Sequence, residues 1–426
     1  MNMSALFGLL GGLLVLAFLA NRLFHWTHVP DVMVLMSTGL LIGPVLHWVR
    51  GEQFRDVTHA FGTLALILIL FGGGLELNVH DALRHFPGGV LLGIFAYGAT
   101  TVLIGEVVAH SLHLSLTTSM LIGAALGCTS STIVLPILEQ WKVPQPVKVI
   151  LLVESALGDV LGVLTVGFLL ELNASVHRAP GILFARFVLQ LGIALVAAFG
   201  IGFAWSRLLP KLSEQRFWQV LTFSMVLLLY AGTEALHASG LLAVLGFGLA
   251  LANLPGEKRQ LRETLWGTSW TEVDHPQRIH DFHAELAFLV RTFFFVLIGV
   301  VVDLRGLATI WPLVLGTLGA IYLGRWLAIQ STRWVWHGTG VTEREMVLWI
   351  LPRGLITVVL ALQVVEARGA EVAFLPALAF TTILLTNLIV IFGSLRVHHA
   401  ALAPSPEQIA ASQDASETAS EITSAA

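Results

Sequence analysis

The chain has 426 residues, of which 56% are hydrophobic and only 12% charged, and its formal net charge is −4. Soluble domains carry about 25% charged residues, so the composition excludes a soluble enzyme and predicts an all-α polytopic membrane protein. The chain has no basic surface of the kind that nucleic-acid binding requires, which excludes nucleic acid as a partner. The single cysteine, Cys128, offers no disulfide and no zinc-type spacing, and we expect no cofactor.

A helix that spans a bilayer needs about 20 mostly apolar residues. Thirteen segments of this kind recur along the chain, and we number them as spans 1 to 13. The gap between spans 8 and 9 is the least distinct, because only His237-Ala-Ser-Gly240 interrupts the apolar run. The predicted spans are residues 3-21, 31-49, 57-77, 87-112, 114-140, 147-171, 181-206, 217-236, 238-254, 284-302, 306-332, 345-366 and 372-395.

The distribution of lysine and arginine predicts the orientation, because cytoplasmic loops hold an excess of positive residues. With the N-terminus outside, alternate loops place 14 basic residues inside and 6 outside, and the other three fall within spans. The chain is therefore predicted to begin outside and to end in the cytoplasm. We separately expect the membrane to be the inner membrane of a bacterium.

The predicted domain organisation is simple. Residues 1-396 form one transmembrane domain, in which the only sizeable soluble piece between spans is a cytoplasmic loop at about 255-283. After Arg396 the sequence turns to Ala, Ser, Glu and Thr with two prolines. Such a composition cannot bury enough apolar area to fold, so residues 397-426 are predicted to be a disordered cytoplasmic tail.

Two spans carry helix-breaking signals at mid-depth. Span 5 reads Thr129-Ser130-Ser131-Thr132 followed by Pro136, and span 12 reads Pro352-Arg353-Gly354 followed by Thr357. Interrupted helices at membrane depth line ion sites in transporters. Each is the fifth member of a six-span block, 1 to 6 or 8 to 13, and the blocks start on opposite sides of the membrane. This pattern predicts two inverted repeats with discontinuous helices.

Charged residues inside a membrane are functional candidates by default, and span 6 contains two, Glu154 and Asp159. Five helical residues turn about 500°, so these two side chains point about 140° apart. Ser155, four residues before Asp159, lies on the same face as Asp159 and is expected to assist it.

Depth along the helices separates the roles further. At about 1.5 Å per residue, Asp159 and Ser130 lie on the order of 15 to 18 Å from the cytoplasmic end of their spans. Glu154 and Arg353 lie at roughly 10 to 12 Å by the same rise and are expected to form a buried pair. Arg291 is at a similar depth and is a rival partner, whereas Arg325 is expected to snorkel to the inner surface.

Asp159 has no cationic partner at its own depth in this reading. A carboxylate that loses part of its water holds a proton more readily, and alkali cations prefer oxygen ligands. The hydroxyls of Thr129, Ser130, Ser131 and Ser155 supply such oxygens beside Asp159. The sequence thus predicts that a proton and a monovalent cation compete for Asp159, in a one-for-one, electroneutral exchange.

The sequence resembles the superfamily of monovalent cation:proton antiporters, the relatives of the sodium/proton exchangers. The likeness spans most of residues 3-395 and is carried by Leu70-Phe-Gly-Gly-Gly-Leu-Glu76, Thr129-Ser-Ser-Thr132, Glu154-Ser-Ala-Leu-Gly-Asp159 and Pro352-Arg-Gly354. The resemblance implies that Asp159 binds the ion and that Glu154 pairs with Arg353. It also implies thirteen spans, a six-helix core with crossed broken helices, and a dimerisation domain, hence a homodimer.

The sequence departs from that pattern at three positions. Gly158 replaces the Asn or Asp that precedes the ion-binding carboxylate, Ser130 stands where many exchangers have Asp, and Gly72 takes the place of a glutamate. The site is therefore less acidic than usual, which leaves the choice between Na⁺, K⁺ and Li⁺ open. Two alternatives stay open as well: a potassium-efflux pathway of the related branch, and a sensor of this fold that no longer transports.

Overall fold

The architecture is that of a computed structural model, which describes residues 3-27, 29-49, 55-76, 79-141, 143-174, 180-212, 215-253, 275-303, 306-336 and 341-402. These residues form fifteen α-helices, with a π-helical turn after α2 and short 3-10 turns at Arg333–Trp336 and Gly369–Val372. The helices are α1 Met3–Thr27, α2 Asp31–Leu40, α3 Arg55–Glu76, α4 Val79–Leu112, α5 Leu116–Leu126, α6 Ser131–Gln140, α7 Gln145–Ala174, α8 Pro180–Leu212, α9 Trp218–Ala235, α10 Gly240–Asn253, α11 His275–Val301, α12 Leu307–Ser331, α13 Val341–Trp349, α14 Leu355–Arg368 and α15 Leu375–Leu402.

Each predicted span coincides with one of these helices or, for spans 5 and 12, with two in succession. By length and composition, eight stretches of described helix are suited to crossing a membrane, and three shorter helices are also apolar. The all-helical membrane architecture is confirmed, whereas the count of thirteen crossings stays a prediction. The eight stretches are Phe7–Phe24, Pro87–Leu112, Leu116–Gln140, Gln145–Leu172, Ala185–Leu209, Ile279–Val301, Thr309–Ser331 and Leu375–Ser394.

Two predicted boundaries change. Helix α11 already begins at His275, so the last part of the predicted loop 255-283 is helical, while 254-274 lie outside the described residues. Helix α15 continues to Leu402, past the predicted end of the membrane domain at 396, and the rest of the predicted tail lies outside the described residues. In both places an apolar helix continues into a more polar segment without a break in its backbone hydrogen bonds.

The helices group into two bundles by their contacts. The site bundle contains α4 to α7 and α12 to α15, with α4 packed against α5, α7 and α12. The scaffold bundle contains α1 to α3 and α8 to α11, with α10 packed against α3 and α8, and α11 against α2 and α3. The principal contacts between the bundles join α14 to α3 and α7 to α8. Each bundle therefore takes matching members from the two predicted six-span blocks.

Glycines allow the scaffold helices to approach backbone to backbone. A Cβ on Gly39 of α2 would overlap the carbonyl oxygen of Val296 on α11, and a Cβ on Gly299 of α11 would overlap that of Met36. Gly74 and Gly248 relate α3 and α10 in the same way. Since lipid gives helices little hydrophobic reason to associate, such close packing is a main source of helix affinity within a membrane.

Candidate ion-binding site

The two interrupted helices are present at the predicted places. The first interruption separates α5 from α6 at residues 127-130, and the second separates α13 from α14 at residues 350-354. Pro352 lies within the second and cannot donate a backbone hydrogen bond. Pro136 lies inside α6, so the first interruption precedes the proline and coincides with the polar run that ends at Ser130. Hydroxyl side chains there compete with the helical backbone bonds.

The two interruptions contact each other directly. The backbone N–H of Ser130 donates to the carbonyl oxygen of Pro352 at 2.9 Å. A Cβ at Gly354 would overlap the side chain of Ser130, so the absence of a side chain at residue 354 is what allows this approach. The Ser130 hydroxyl also bonds with that of Thr132 at 3.1 Å. Backbone groups freed in one helix are thus partly satisfied by the other.

Asp159 on α7 is buried at the start of α6. Its Oδ2 accepts a hydrogen bond from the Ser131 hydroxyl at 2.6 Å, and the carboxyl group is 2% exposed. Its Oδ1 has no hydrogen-bond partner among the described residues. Because a helix N-terminus carries partial positive charge, α6 favours a negative group at this point. One oxygen of Asp159 is therefore held and the other is available to a proton or a cation.

The other predicted site residues surround this carboxylate unequally. Thr129 is buried in the first interruption, and the Cα of Gly158 faces it, since a Cβ on Gly158 would lie 3.6 Å from the Thr129 backbone nitrogen. Ser155 is buried, but its hydroxyl donates to the carbonyl oxygen of Leu152 in its own helix at 3.1 Å. The described contacts therefore include no hydrogen bond from Ser155 to Asp159, although the sequence predicted that Ser155 assists Asp159. A serine in a helix can bond to the preceding turn instead.

The partner predicted for Glu154 was wrong. Glu154 Oε1 lies 2.9 Å from Arg325 Nη1, and both side chains are 3% exposed. The same guanidinium donates through Nε to the Val347 carbonyl oxygen at 3.0 Å and through Nη2 to that of Ile350 at 2.9 Å. Arg325 is consequently a buried residue that joins α7 and α12 to the end of α13, and it does not snorkel.

Arg353 and Arg291 have other partners. Arg353 Nη1 donates to the carbonyl oxygen of Gly127, just after α5, at 2.7 Å. Arg291 forms an ion pair with Asp31 at 2.8 Å, which joins α11 to the first turn of α2 in the scaffold bundle. Distance along a helix placed Arg353 and Arg291 at the depth of Glu154 and Arg325 near the inner end of its span, but only the arrangement of helices decides which group each arginine faces.

Two residues on α15 were missed by sequence reasoning. The Arg353 backbone N–H donates to Thr386 Oγ1 at 3.2 Å, and Asn387 Nδ2 donates to the Arg353 carbonyl oxygen at 3.0 Å. Both are fully buried and satisfy backbone groups in the second interruption. The adjacent polar pair in an otherwise apolar span was the available signal.

The site has the features of an oxygen-based site for a single small ion. Within the described part of the chain, no group of three or more His, Cys, Asp or Glu side chains is arranged to hold a metal. Asp159, by contrast, combines one negative charge with the Ser131 hydroxyl and the backbone of the first interruption. The buried acid next to it, Glu154, is already compensated by Arg325.

Comparison with known proteins identifies the family. The family model described as "Sodium/hydrogen exchanger, transmembrane" matches residues 13–397. The K(+)/H(+) antiporter NhaP2 of Shewanella sp. (strain ANA-3) is 25% identical over 371 residues, which cover 85% of this chain and 61% of that protein. The Na(+)/H(+) antiporter 1 of Methanocaldococcus jannaschii is 25% identical over 376 residues, or 85% of this chain and 84% of that protein.

The fold comparison agrees with the family model. The solved structure of the sodium proton antiporter MjNhaP1 from Methanocaldococcus jannaschii at pH 8 matches with a TM-score of 0.73 at 22% identity, over 93% of this chain and 96% of that one. This chain spans about three fifths of the length of the Shewanella relatives it matches. The match over residues 13–397 shows that the chain is an integral membrane protein of the sodium/hydrogen exchanger family.

Proposed function

We propose that this protein exchanges a monovalent cation for a proton across the membrane, with Asp159 alternately protonated and cation-bound. The observation that carries the proposal is the position of Asp159, buried where the two interrupted helices meet, with one oxygen bonded to Ser131 and the other open. A proton neutralises the carboxylate and a cation compensates it, so each excludes the other.

The neighbouring residues have distinct parts in this mechanism. The Ser131 hydroxyl donates to Asp159 Oδ2 and leaves its lone pairs free for a cation. Thr129 and Ser130 bring further hydroxyls and backbone to the same place, while Thr132 holds the Ser130 side chain. Because Asp159 is buried, ion entry requires movement, and we propose that the site bundle moves against the scaffold bundle to open the site to each side in turn.

The proposed stoichiometry is one cation for one proton. Glu154 is paired with Arg325, and Gly158 adds no polar group beside Asp159, so Asp159 is the one uncommitted carboxylate of the site. Exchange on this basis moves no net charge. In proteoliposomes, a reversal condition that depends on membrane voltage would contradict the one-to-one exchange while leaving antiport itself intact.

The proposal extends to the number of membrane crossings, the orientation and the oligomeric state. We propose thirteen crossings, two inverted repeats, an external N-terminus, a cytoplasmic C-terminus and residence in the bacterial inner membrane as a homodimer without a cofactor. The relatives are named for K⁺/H⁺ and for Na⁺/H⁺ exchange, and both cations suit the same oxygen ligands. The choice of ion is therefore decided by transport measurements.

A dye assay in inside-out vesicles tests the function. A pH gradient is imposed, Na⁺, K⁺ or Li⁺ is added in turn, and the recovery of a pH-sensitive dye reports cation-driven proton movement. We expect recovery with at least one cation for the wild type and none for Asp159→Asn, because the amide carries no charge and cannot take up and release a proton. Glu106→Gln removes an exposed carboxylate of α4 and is the matched control, with unchanged recovery expected.

The same vesicles separate the alternatives when the flux of each cation is measured beside the dye signal. Undiminished recovery in Asp159→Asn would refute the role of Asp159. Potassium movement without dye recovery would indicate an efflux pathway that is not coupled to protons. No flux of any cation in the correctly folded wild type would indicate a sensor of this fold.

A further inference from the structure

A groove lined by both polar and apolar residues lies between α12 and α13, and Asp159 is not among the residues that line it. It has a volume of about 230 Å³. On the first side, Trp326, Gln330 and Arg333 follow one another at spacings of four and three residues. On the other side lie Arg344 and Glu345, in the first turns of α13. Two positive charges, one negative charge and an amide thus converge on one groove.

The groove combines features of the membrane interface. Trp326 in the groove is 44% exposed, and Trp334, eight residues farther along the chain and outside the groove, is 58% exposed; exposed tryptophans are typical of the level of lipid headgroups. Ile329 and Leu348 line the groove between the polar residues. The distribution of basic residues predicts that this end of α12 faces the cytoplasm. A groove that combines the apolar Ile329 and Leu348 with two arginines at this level fits a ligand with a charged head and an apolar tail.

We propose that this groove binds a phosphate-bearing anionic headgroup, of the kind that phosphatidylglycerol carries. Arginine is suited to phosphate because its planar guanidinium donates two parallel hydrogen bonds, and basic pockets between membrane helices bind anionic lipids. Glu345 disfavours a highly charged polyphosphate. A phosphodiester with free hydroxyls avoids this conflict, since its phosphate meets Arg333 and Arg344 while a hydroxyl donates to Glu345 or Gln330.

The place of the groove connects it to the interrupted helix. Arg325, one residue before Trp326, donates to the Val347 and Ile350 carbonyl oxygens at the end of α13. A headgroup held between α12 and α13 would join the same two helices about one turn farther from the interruption. Binding is therefore expected to stabilise the folded protein against heat, independently of whether the protein transports.

Native mass spectrometry of the purified full chain in detergent tests the site. Phosphatidylglycerol, zwitterionic phosphatidylethanolamine and inorganic phosphate are titrated separately. We expect the wild type to retain phosphatidylglycerol in preference to phosphatidylethanolamine. Loss of both arginines in R333Q/R344Q should weaken phosphatidylglycerol binding about 30-fold, and R333Q alone about fivefold.

The matched control removes two arginines elsewhere. Arg207 and Arg216 lie against the rings of Phe203 and Phe217 in the scaffold bundle, and R207Q/R216Q should bind phosphatidylglycerol as the wild type does. Charge-conserving R333K/R344K should retain most of the binding. Because Arg333 is exposed, R333Q is expected to fold even if the double variant does not, and its affinity then decides.

The outcomes distinguish the sources of the phosphate. Competition of inorganic phosphate with phosphatidylglycerol supports the anion site, and binding of phosphate without the lipid assigns it to a soluble ligand. Equal phosphatidylglycerol binding by the wild type and R333Q/R344Q would overturn the proposal. So would an equal loss of binding in R207Q/R216Q, because it would show that the lipid follows overall charge.

Discussion

The helix ends at the two interruptions of the site bundle bind charges of opposite sign. The first ends at a helix N-terminus, where Ser131 holds the carboxylate of Asp159. The second contains Arg353, which reaches back to the Gly127 carbonyl oxygen, while Arg325 donates to carbonyl oxygens at the end of α13. Helix N-termini favour anions and C-termini favour cations, so the N-terminus of α6 favours the carboxylate of Asp159, and the carbonyl ends of α5 and α13 favour Arg353 and Arg325.

This difference separates the carboxylate of Asp159, which has one oxygen without a hydrogen-bond partner among the described residues, from charges that are held within the fold. The arginines are held by carbonyl oxygens and by Glu154, so they remain part of the fold. The free oxygen of Asp159 has no such partner among the described residues. An interrupted helix is therefore not by itself an ion site; in the exchange that we propose, the ion site lies where a carboxylate meets a helix N-terminus.

The largest expected effect comes from breaking the fixed charges. Glu154→Gln should lower the free energy of unfolding by about 3 to 5 kcal/mol, because it leaves Arg325 charged and uncompensated in the membrane interior. Asp31→Asn breaks the less deeply buried pair with Arg291, whose side chains are 13% and 20% exposed, and should cost less, about 1 to 3 kcal/mol. Thermal unfolding in detergent measures both. Equal losses would show that the Glu154–Arg325 pair contributes no more to stability than the Asp31–Arg291 pair.

The contact between the two interruptions is tested by sterics. Gly354→Ala should cost about 1 to 3 kcal/mol through overpacking and reduce exchange strongly, because the new Cβ overlaps the Ser130 side chain. Ser130→Gly in the same chain removes that side chain and should restore part of the activity. Exchange that is normal in Gly354→Ala alone would show that the interruptions need not approach so closely.

A smaller effect is expected from removing the hydroxyl that donates to Asp159. Ser131→Ala removes the hydroxyl bonded to Asp159 and should raise the cation concentration for half-maximal exchange about tenfold. Ser155→Ala is the matched control, because the Ser155 hydroxyl bonds to Leu152. Vesicle assays at graded cation concentrations separate the two. A larger effect from Ser155→Ala would restore the role that the sequence suggested for Ser155.

The smallest effect is expected at Gly158. A Cβ there would lie in ordinary contact with the Thr129 backbone, at 3.6 Å from its nitrogen. Gly158→Ala should therefore leave exchange within about twofold of the wild type, since nothing must move. The same dye assay measures it. A strong loss would indicate that the first interruption closes on α7 during transport.

The amino-acid sequence by itself determined the membrane class, the helical segments and the placement of both interruptions. The length of an apolar segment and the presence of helix-breaking residues are local properties, and they can be recognised without knowing which helices pack together. Asp159 and its candidate hydroxyls followed from the same local pattern, together with the cost of a charge in lipid. The comparisons confirm the family that these motifs indicated.

Only the tertiary structure decided the pairing of charges and the direction of hydroxyls. Glu154 faces Arg325, Arg353 caps α5, and Ser155 bonds within its own helix. Helical phase and depth gave several residues at one level of the membrane. They did not say which helices are neighbours, because the packing of α4 against both α7 and α12 brings distant parts of the chain together. Ion pairs form only between groups a few ångströms apart, so they depend on that packing. The same packing leaves Oδ1 of Asp159 without a hydrogen-bond partner among the described residues.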